Sequence, residues 1–315
     1  MTAMSDSSDF SSALVDGPWK HELVPANGSR FHVATAGPER SAGGGRPLVL
    51  LLHGFPQFWW AWRHQLTALS DAGYRVAAMD LRGVGASDKP PSGYDVPTGT
   101  RDVAGVVRSL GHDRAVVVGH GTGGVIAWSM AHLQPAVTAA VGAVAAPHPA
   151  RLHVSGAQLL TRTARRQLAF YQLPTLPERA LVDGDLVARA LDAGAGRPLP
   201  AADAELYRTV MRIPFAAHTV MESLRWMVRS TPRPDGRRYL ASVRRPVDVP
   251  VLQLHGSADG FLHREPAGVD GSALARDFRF EVLDGAGHYL PEEAAERVSE
   301  LLLEWLAHAT APAAG

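Results

Sequence analysis

The stretch AVVVGHGTGGVIAW, residues 115–128, runs from five apolar or small residues through a glycine-rich turn into an apolar segment of helical character. Ala115 to Gly119 reads as a strand and Gly123 to Leu133 as a helix. Gly119-His120-Gly121-Thr122-Gly123-Gly124 joins them, and small residues there permit the sharp strand-to-helix turn that lifts its central side chain above a sheet. Before this stretch, Pro47 to His53 (PLVLLLH) is a short continuous apolar run, as expected of a central parallel strand buried on both faces. Trp60 to Ala72 reads as helix, Arg75 to Asp80 as strand, and Thr100 to Leu110 as helix. Residues 18–36 read as a hairpin with Asn27-Gly28 at its turn. After the turn, Val137 to Ala145 is the next strand.

The strand pattern then stops. From about His148 to Arg245 the text is arginine-rich, helix-like and broken by Pro174, Pro177, Pro198, Pro200, Pro214, Pro232 and Pro234. It resumes with strands at Val249 to His255 and Phe278 to Leu283, and Pro291 to His308 reads as a closing amphipathic helix. An α/β chain interrupted once follows from this alternation. The expected division is a flexible N-terminal tail over 1–17, an α/β core over 18–147 and 246–315, and a helical cap over 148–245.

Of the 315 residues, 46% are hydrophobic and 20% charged, with Lys+Arg and Asp+Glu equal at 31 each. That length and apolar content support a large buried core without covalent staples. The chain has no cysteine, which removes disulfides, thiolate metal sites and a cysteine nucleophile, and fits a cytoplasmic location. Interspersed charges that sum to zero leave no electrostatic footprint for nucleic acid. No apolar run approaches the roughly 20 residues that span a bilayer. The Ser/Asp-rich opening MTAMSDSSDF reads as neither signal peptide nor anchor. The expected partner is a small lipophilic molecule; neither cofactor nor metal is expected, and the oligomeric state is not legible.

Loops at the strand ends carry the chemistry. They are His53-Gly54-Phe55-Pro56, the turn centred on Gly121, Gly256-Ser257-Ala258-Asp259 and Gly285-Ala286-Gly287-His288. With HGFPQFWWAWRHQL, DLRGVGASDKP, GHGTGGVIAW, APHP and GAGHYLPEE, the chain resembles α/β-hydrolases of the epoxide hydrolase and haloalkane dehalogenase branch over about residues 18–308. The resemblance implies a mostly parallel eight-stranded sheet flanked by helices. It implies His288 as the catalytic histidine, Asp259 as the acid that holds its tautomer, and the backbone N–H groups of Phe55 and Thr122 as an oxyanion hole.

One position departs from the family pattern. The turn residue that carries the Asp or Ser nucleophile in the family is Gly121 here, and no G-x-S-x-G occurs elsewhere. The side chain of Thr122, one step further on, is expected to point away from the pocket. The two cap tyrosines that activate an epoxide oxygen in the family align with Gln167 and with Met227 or Val228. Tyr171 and Tyr207 are either displaced substitutes or packing residues. Trp59, Trp60 and Phe55 either line a hydrophobic substrate pocket with Gln167, Tyr171 and Val228 or belong to the core.

Several functions follow from these residues. The first is an epoxide-hydrolase-like enzyme in which His288 and Asp259 activate water by general-base catalysis. The others are a catalytically inactive protein that keeps the pocket to bind a ligand or partner, and an isomerase, lyase or cyclase on the same fold.

Overall fold

The apolar run Leu48–Leu52 forms β3, and all five of its side chains are buried. Burying them contributes on the order of 10 kcal/mol against chain entropy. In the computed structural model, which describes residues 9–39, 46–263 and 273–310, β3 lies parallel between β4 (Val76–Met79) and β5 (Ala115–His120). The hairpin of β1 (Lys20–Ala26) and β2 (Ser29–Ala36) is antiparallel and pairs with the outer side of β4. Its two-residue turn has both Asn27 and Gly28 at positive φ, the backbone twist that suits a tight hairpin. Beyond β5 come β6 (Thr138–Val144), β7 (Val251–Gly256) and β8 (Phe278–Leu283), all parallel. The result is an eight-stranded, mostly parallel sheet in the order β1-β2-β4-β3-β5-β6-β7-β8.

Successive side chains of β3 go to opposite faces, as the strand period of two requires. Val49 and Leu51 join one apolar cluster with Leu66 and Leu69 of α1 (Arg63–Asp71) and Leu301, Leu302 and Leu306 of α12 (Ala295–Ala309). Leu48, Leu50 and Leu52 join the other, with Val103 and Val107 of α2 (Val96–Ser109) and Trp128 and Met130 of α3 (Thr122–Leu133). Helix α2 starts four residues before the expected Thr100. The Asp95 carboxylate caps it by accepting from Thr98 N at 2.7 Å, and Pro97 fits the first turn, where no amide is needed.

Seven helices lie between β6 and β7: α4 (Pro149–Leu159), α5 (Arg162–Tyr171), α6 (Leu176–Val182), α7 (Leu186–Gly194), α8 (Ala201–Met211), α9 (Ala216–Arg229) and α10 (Pro234–Ser242). The prolines here begin helices more than they break them: Pro177 and Pro234 sit in first turns and Pro200 precedes α8. Buried Arg225 on α9 clamps α5 and α6. Its guanidinium pairs with Glu178, and it donates to the carbonyls of Tyr171 at 3.0 Å and Leu173 at 2.6 Å. Among the described residues no helix is long and apolar enough to cross a membrane.

Three expectations change. Of the flexible tail expected over 1–17, residues 1–8 lie outside the described residues, and within 9–17 Ala13 is seated in the core while Asp9, Phe10, Ser11, Asp16 and Gly17 are exposed. Phe10–Ala13 forms a 3-10 turn, Ala13 is fully buried, and its carbonyl accepts from Trp59 Nε1 at 2.7 Å. The backbone carbonyls, which composition does not reveal, anchor this segment. Trp59–Trp62 is a 3-10 turn ahead of α1, so the helix expected from Trp60 is shorter. The closing helix is divided at Ala294 (φ −131°, ψ 43°) into α11 (Leu290–Glu293) and α12.

Asp80, fully buried just after β4, binds the first loops together. Oδ1 accepts from Trp59 N at 2.9 Å, while Oδ2 accepts from Ala86 N at 3.0 Å and lies 2.8 Å from His32 Nδ1. Burial alone raises its pKa, but His32, His53 and the Trp59 amide outweigh that and hold it below the usual carboxylate range. Asp80→Ala strands these donors and is expected to cost about 3–5 kcal/mol in urea unfolding. Because the folded pKa is depressed, the wild-type contribution is present above an unfolded value of about 4 and is lost as pH falls through the lower folded value. Acid titration of stability is therefore expected to be flatter in Asp80→Ala.

Candidate active site

The carboxyl ends of β3, β5, β7 and β8 open on one edge of the sheet, where open α/β sheets place ligands. Gly121 stands between β5 and α3 with φ 51° and ψ −115°, a conformation that side-chain-bearing residues rarely adopt. A Cβ added there would make ordinary van der Waals contact with His288 Nε2 at 3.5 Å and Gly54 Cα at 3.7 Å. Two residues on, a Cβ at Gly123 would come within 2.5 Å of the carbonyl oxygens of Leu52 and His53. Glycine there lets α3 start directly against the end of β3.

His288 sits on the loop between β8 and α11. Its Nδ1 is 2.9 Å from Asp259 Oδ2, and both residues are almost fully buried. The other Asp259 oxygen accepts from the amides of Phe261 at 2.8 Å and Leu262 at 3.0 Å. Burial opposes ionisation of Asp259, yet His288 and these two amides hold its pKa below the usual range. A carboxylate in that place requires the ring hydrogen on Nδ1. The Nε2 lone pair is thereby turned toward the space beside Gly121.

The His288 loop is held from three sides. His288 N donates to Gly194 O at 2.8 Å. Glu293 accepts from the amides of Tyr289 and Gly287, both at 2.9 Å, and from Gly196 N at 2.8 Å across the loop after α7. Below lies His120, whose Nε2 is 2.8 Å from the His288 carbonyl and therefore donates to it. Burial first, then the neighbouring His288, push its pKa down to about 3, so it stays neutral. Sequence reasoning did not find Glu293, although GAGHYLPEE carries it; its use by amides on two loops has no signature in spacing.

A cavity of about 370 Å³ covers this edge. Gly121, Thr122, Phe55 and His288 line it from the sheet side, and Gln167, Tyr171 and Val228 from the inserted helices. Asp259 stands behind His288. Thr122 lines the cavity at the start of α3. Trp226, Tyr239 and Phe261 also line it and were not singled out from sequence. Within it the Tyr171 hydroxyl donates to Gln167 Oε1 at 3.1 Å, one helical turn away, and its ring meets Phe55 edge-on at 5.6 Å. The amides of Phe55 and Thr122 make no hydrogen bond among the described residues.

Trp59 and Trp60 do not line the cavity. Trp59 is fully buried against Trp19, His21 and His32, its indole bonded to the Ala13 carbonyl. Trp60 donates to Asp203 at 2.8 Å. Each indole N–H is drawn to an acceptor away from the cavity. Tyr207 is likewise elsewhere, buried and donating to Glu292 at 2.7 Å. Glu292 also pairs with Arg63 at 2.8 Å and accepts from Gln57, and Arg63 pairs with Asp203 at 2.7 Å. Burial outweighs Arg63 and pushes the pKa of Glu292 up. This cluster ties the first loop to α8 and α11.

Comparison with known proteins agrees with this architecture. Residues 47–295 match the family model described as alpha/beta hydrolase fold. The AB hydrolase superfamily protein YfhM of Bacillus subtilis is 31% identical over 295 residues, covering 91% of this chain and 98% of that protein. Epoxide hydrolase 4 of Mus musculus is 32% identical over 301 residues, covering 91% of this chain and 79% of that one. Among solved structures, an epoxide hydrolase from an endophytic Streptomyces superimposes with a TM-score of 0.75 at 28% identity, covering 93% of this chain and 96% of its own. The chain belongs to the alpha/beta hydrolase fold family, with epoxide hydrolases among its homologues.

Proposed function

We propose that the protein hydrolyses a small, neutral, lipophilic molecule, and that His288 and Asp259 activate water directly because Gly121 occupies the place of the nucleophile. The observation that carries this reading is the cavity wall shared by Gly121 and His288, where a Cβ on Gly121 would lie 3.5 Å from His288 Nε2. A water there gives its proton to Nε2 as its oxygen attacks the substrate. Asp259 stabilises the imidazolium through Nδ1–H. The Phe55 and Thr122 amides are the donors for a developing oxyanion. No covalent intermediate forms on the protein. Among the described residues the cavity lining holds neither Asp, Glu, Lys nor Arg, which suits an uncharged substrate. We read the inserted helices as a cap that keeps bulk water from it.

The test is product formation from a panel of lipophilic epoxides and aryl esters, with His288→Ala and Asp259→Asn run beside the wild type. His288→Ala is expected to fall to background. Asp259→Asn, which permits the wrong tautomer, is expected to lose about 10²–10⁴ in kcat. Equal product with and without the His288 imidazole sinks the proposal, and a ligand-binding role without catalysis then takes its place. Gly121→Ala puts a methyl group where the water stands. Its turnover is expected to drop at least about 10²-fold, with about 1–3 kcal/mol of backbone strain visible in thermal unfolding.

A further inference from the structure

Resting on that reading of the site, we infer that the substrate is an acyl compound, a neutral lipophilic ester or lactone, and not an epoxide. The argument is where protons must go. In ester hydrolysis the water oxygen bonds to the carbonyl carbon while its proton passes to His288 Nε2, and the carbonyl π pair moves onto oxygen. The C–O bond to the alcohol then breaks as that pair returns, and the proton on Nε2 passes to the departing oxygen. Incoming and departing oxygens are on one tetrahedral carbon. A single imidazole beside it serves both as base and as acid.

Epoxide opening has a different geometry. The attacking water and the departing ring oxygen lie on opposite faces of the carbon. A proton taken by His288 on the attacking face does not reach the alkoxide formed on the far face. A second acid is needed there.

Among the described residues the cavity does not offer one with a free proton. Besides His288, the acidic groups that line it among the described residues are the phenols of Tyr171 and Tyr239. The Tyr171 hydrogen is committed to Gln167 Oε1. Tyr239 OH is 2.8 Å from Ser129 Oγ, which gives its own hydrogen to Val125 O, so Tyr239 must donate to Ser129. Burial also raises the pKa of both phenols. The remaining donors include the amides of Phe55 and Thr122 and the Gln167 side-chain amide. These stabilise negative charge on oxygen but are too weakly acidic to protonate an alkoxide. Carbonyl addition needs the first of these services, and epoxide opening needs the second.

The experiment compares substrates of matched size in H₂¹⁸O. Phenyl acetate, p-nitrophenyl butyrate and δ-decalactone are set against styrene oxide and 1,2-epoxydecane, each with wild type and His288→Ala. A general acid is worth about 10²–10⁴-fold. The expected result is therefore His288-dependent kcat/KM for an ester or lactone at least about 10²-fold above either epoxide, with ¹⁸O in the carboxylate in the first turnover. His288-dependent opening of an epoxide at a rate equal to or above the acyl substrates overturns the acyl assignment and leaves the hydrolase reading standing. Hydrolysis of neither class above His288→Ala overturns both.

Discussion

The hydrogen bond between His288 Nδ1 and Asp259, 2.9 Å long and closed to solvent, determines which nitrogen faces the cavity. A buried carboxylate without donors would take up a proton and lose its hold on the ring. Here two backbone amides fill the second oxygen of Asp259, so the charge is kept and the tautomer with it. Glu293 does the same work on the loop, collecting amides from both sides of His288. His120, neutral beneath, adds a donor without adding a charge. The orientation of one imidazole thus depends on carboxylates that do not line the cavity themselves.

A second set of buried charges joins the inserted helices to the sheet. Arg63, Asp203, Glu292 and Tyr207 come from α1, α8 and α11, and taking them from water is costly unless every partner is in place. Such a cluster adds little net stability compared with apolar packing. It does favour one docking of α8 on the first loop over its alternatives. Arg225 acts similarly inside the insertion, where its bond to the Tyr171 carbonyl sets the end of the helix that carries Gln167 and Tyr171.

Much of this was legible in the residues themselves. Continuous apolar runs at Leu48–Leu52 and Ala115–Gly119 announce strands covered on both faces, and Asn27-Gly28 marks the hairpin turn. The strand-end loops that hold Gly121, Asp259 and His288 were also readable, because turn geometry is written in small residues. What stayed hidden depends on distant partners. Nothing near Trp59 in the chain reveals that Ala13 supplies the acceptor for its indole, or that Asp203 does so for Trp60. The break at Ala294 and the embrace of Glu293 are likewise products of tertiary contact. Aromatic residues beside a catalytic loop look alike in sequence whether they face a cavity or a core.

The backbone at Gly121 keeps its left-handed turn although no side chain there takes part in chemistry. Glycine holds that conformation without strain, whereas any other residue stores about 1–3 kcal/mol in it. Loss of the side chain is therefore downhill for the fold, and regaining one is uphill. A lineage that passes through glycine at this position gains a margin of stability that further change in the cavity can consume. The turn then acts as a ratchet that holds this position at glycine.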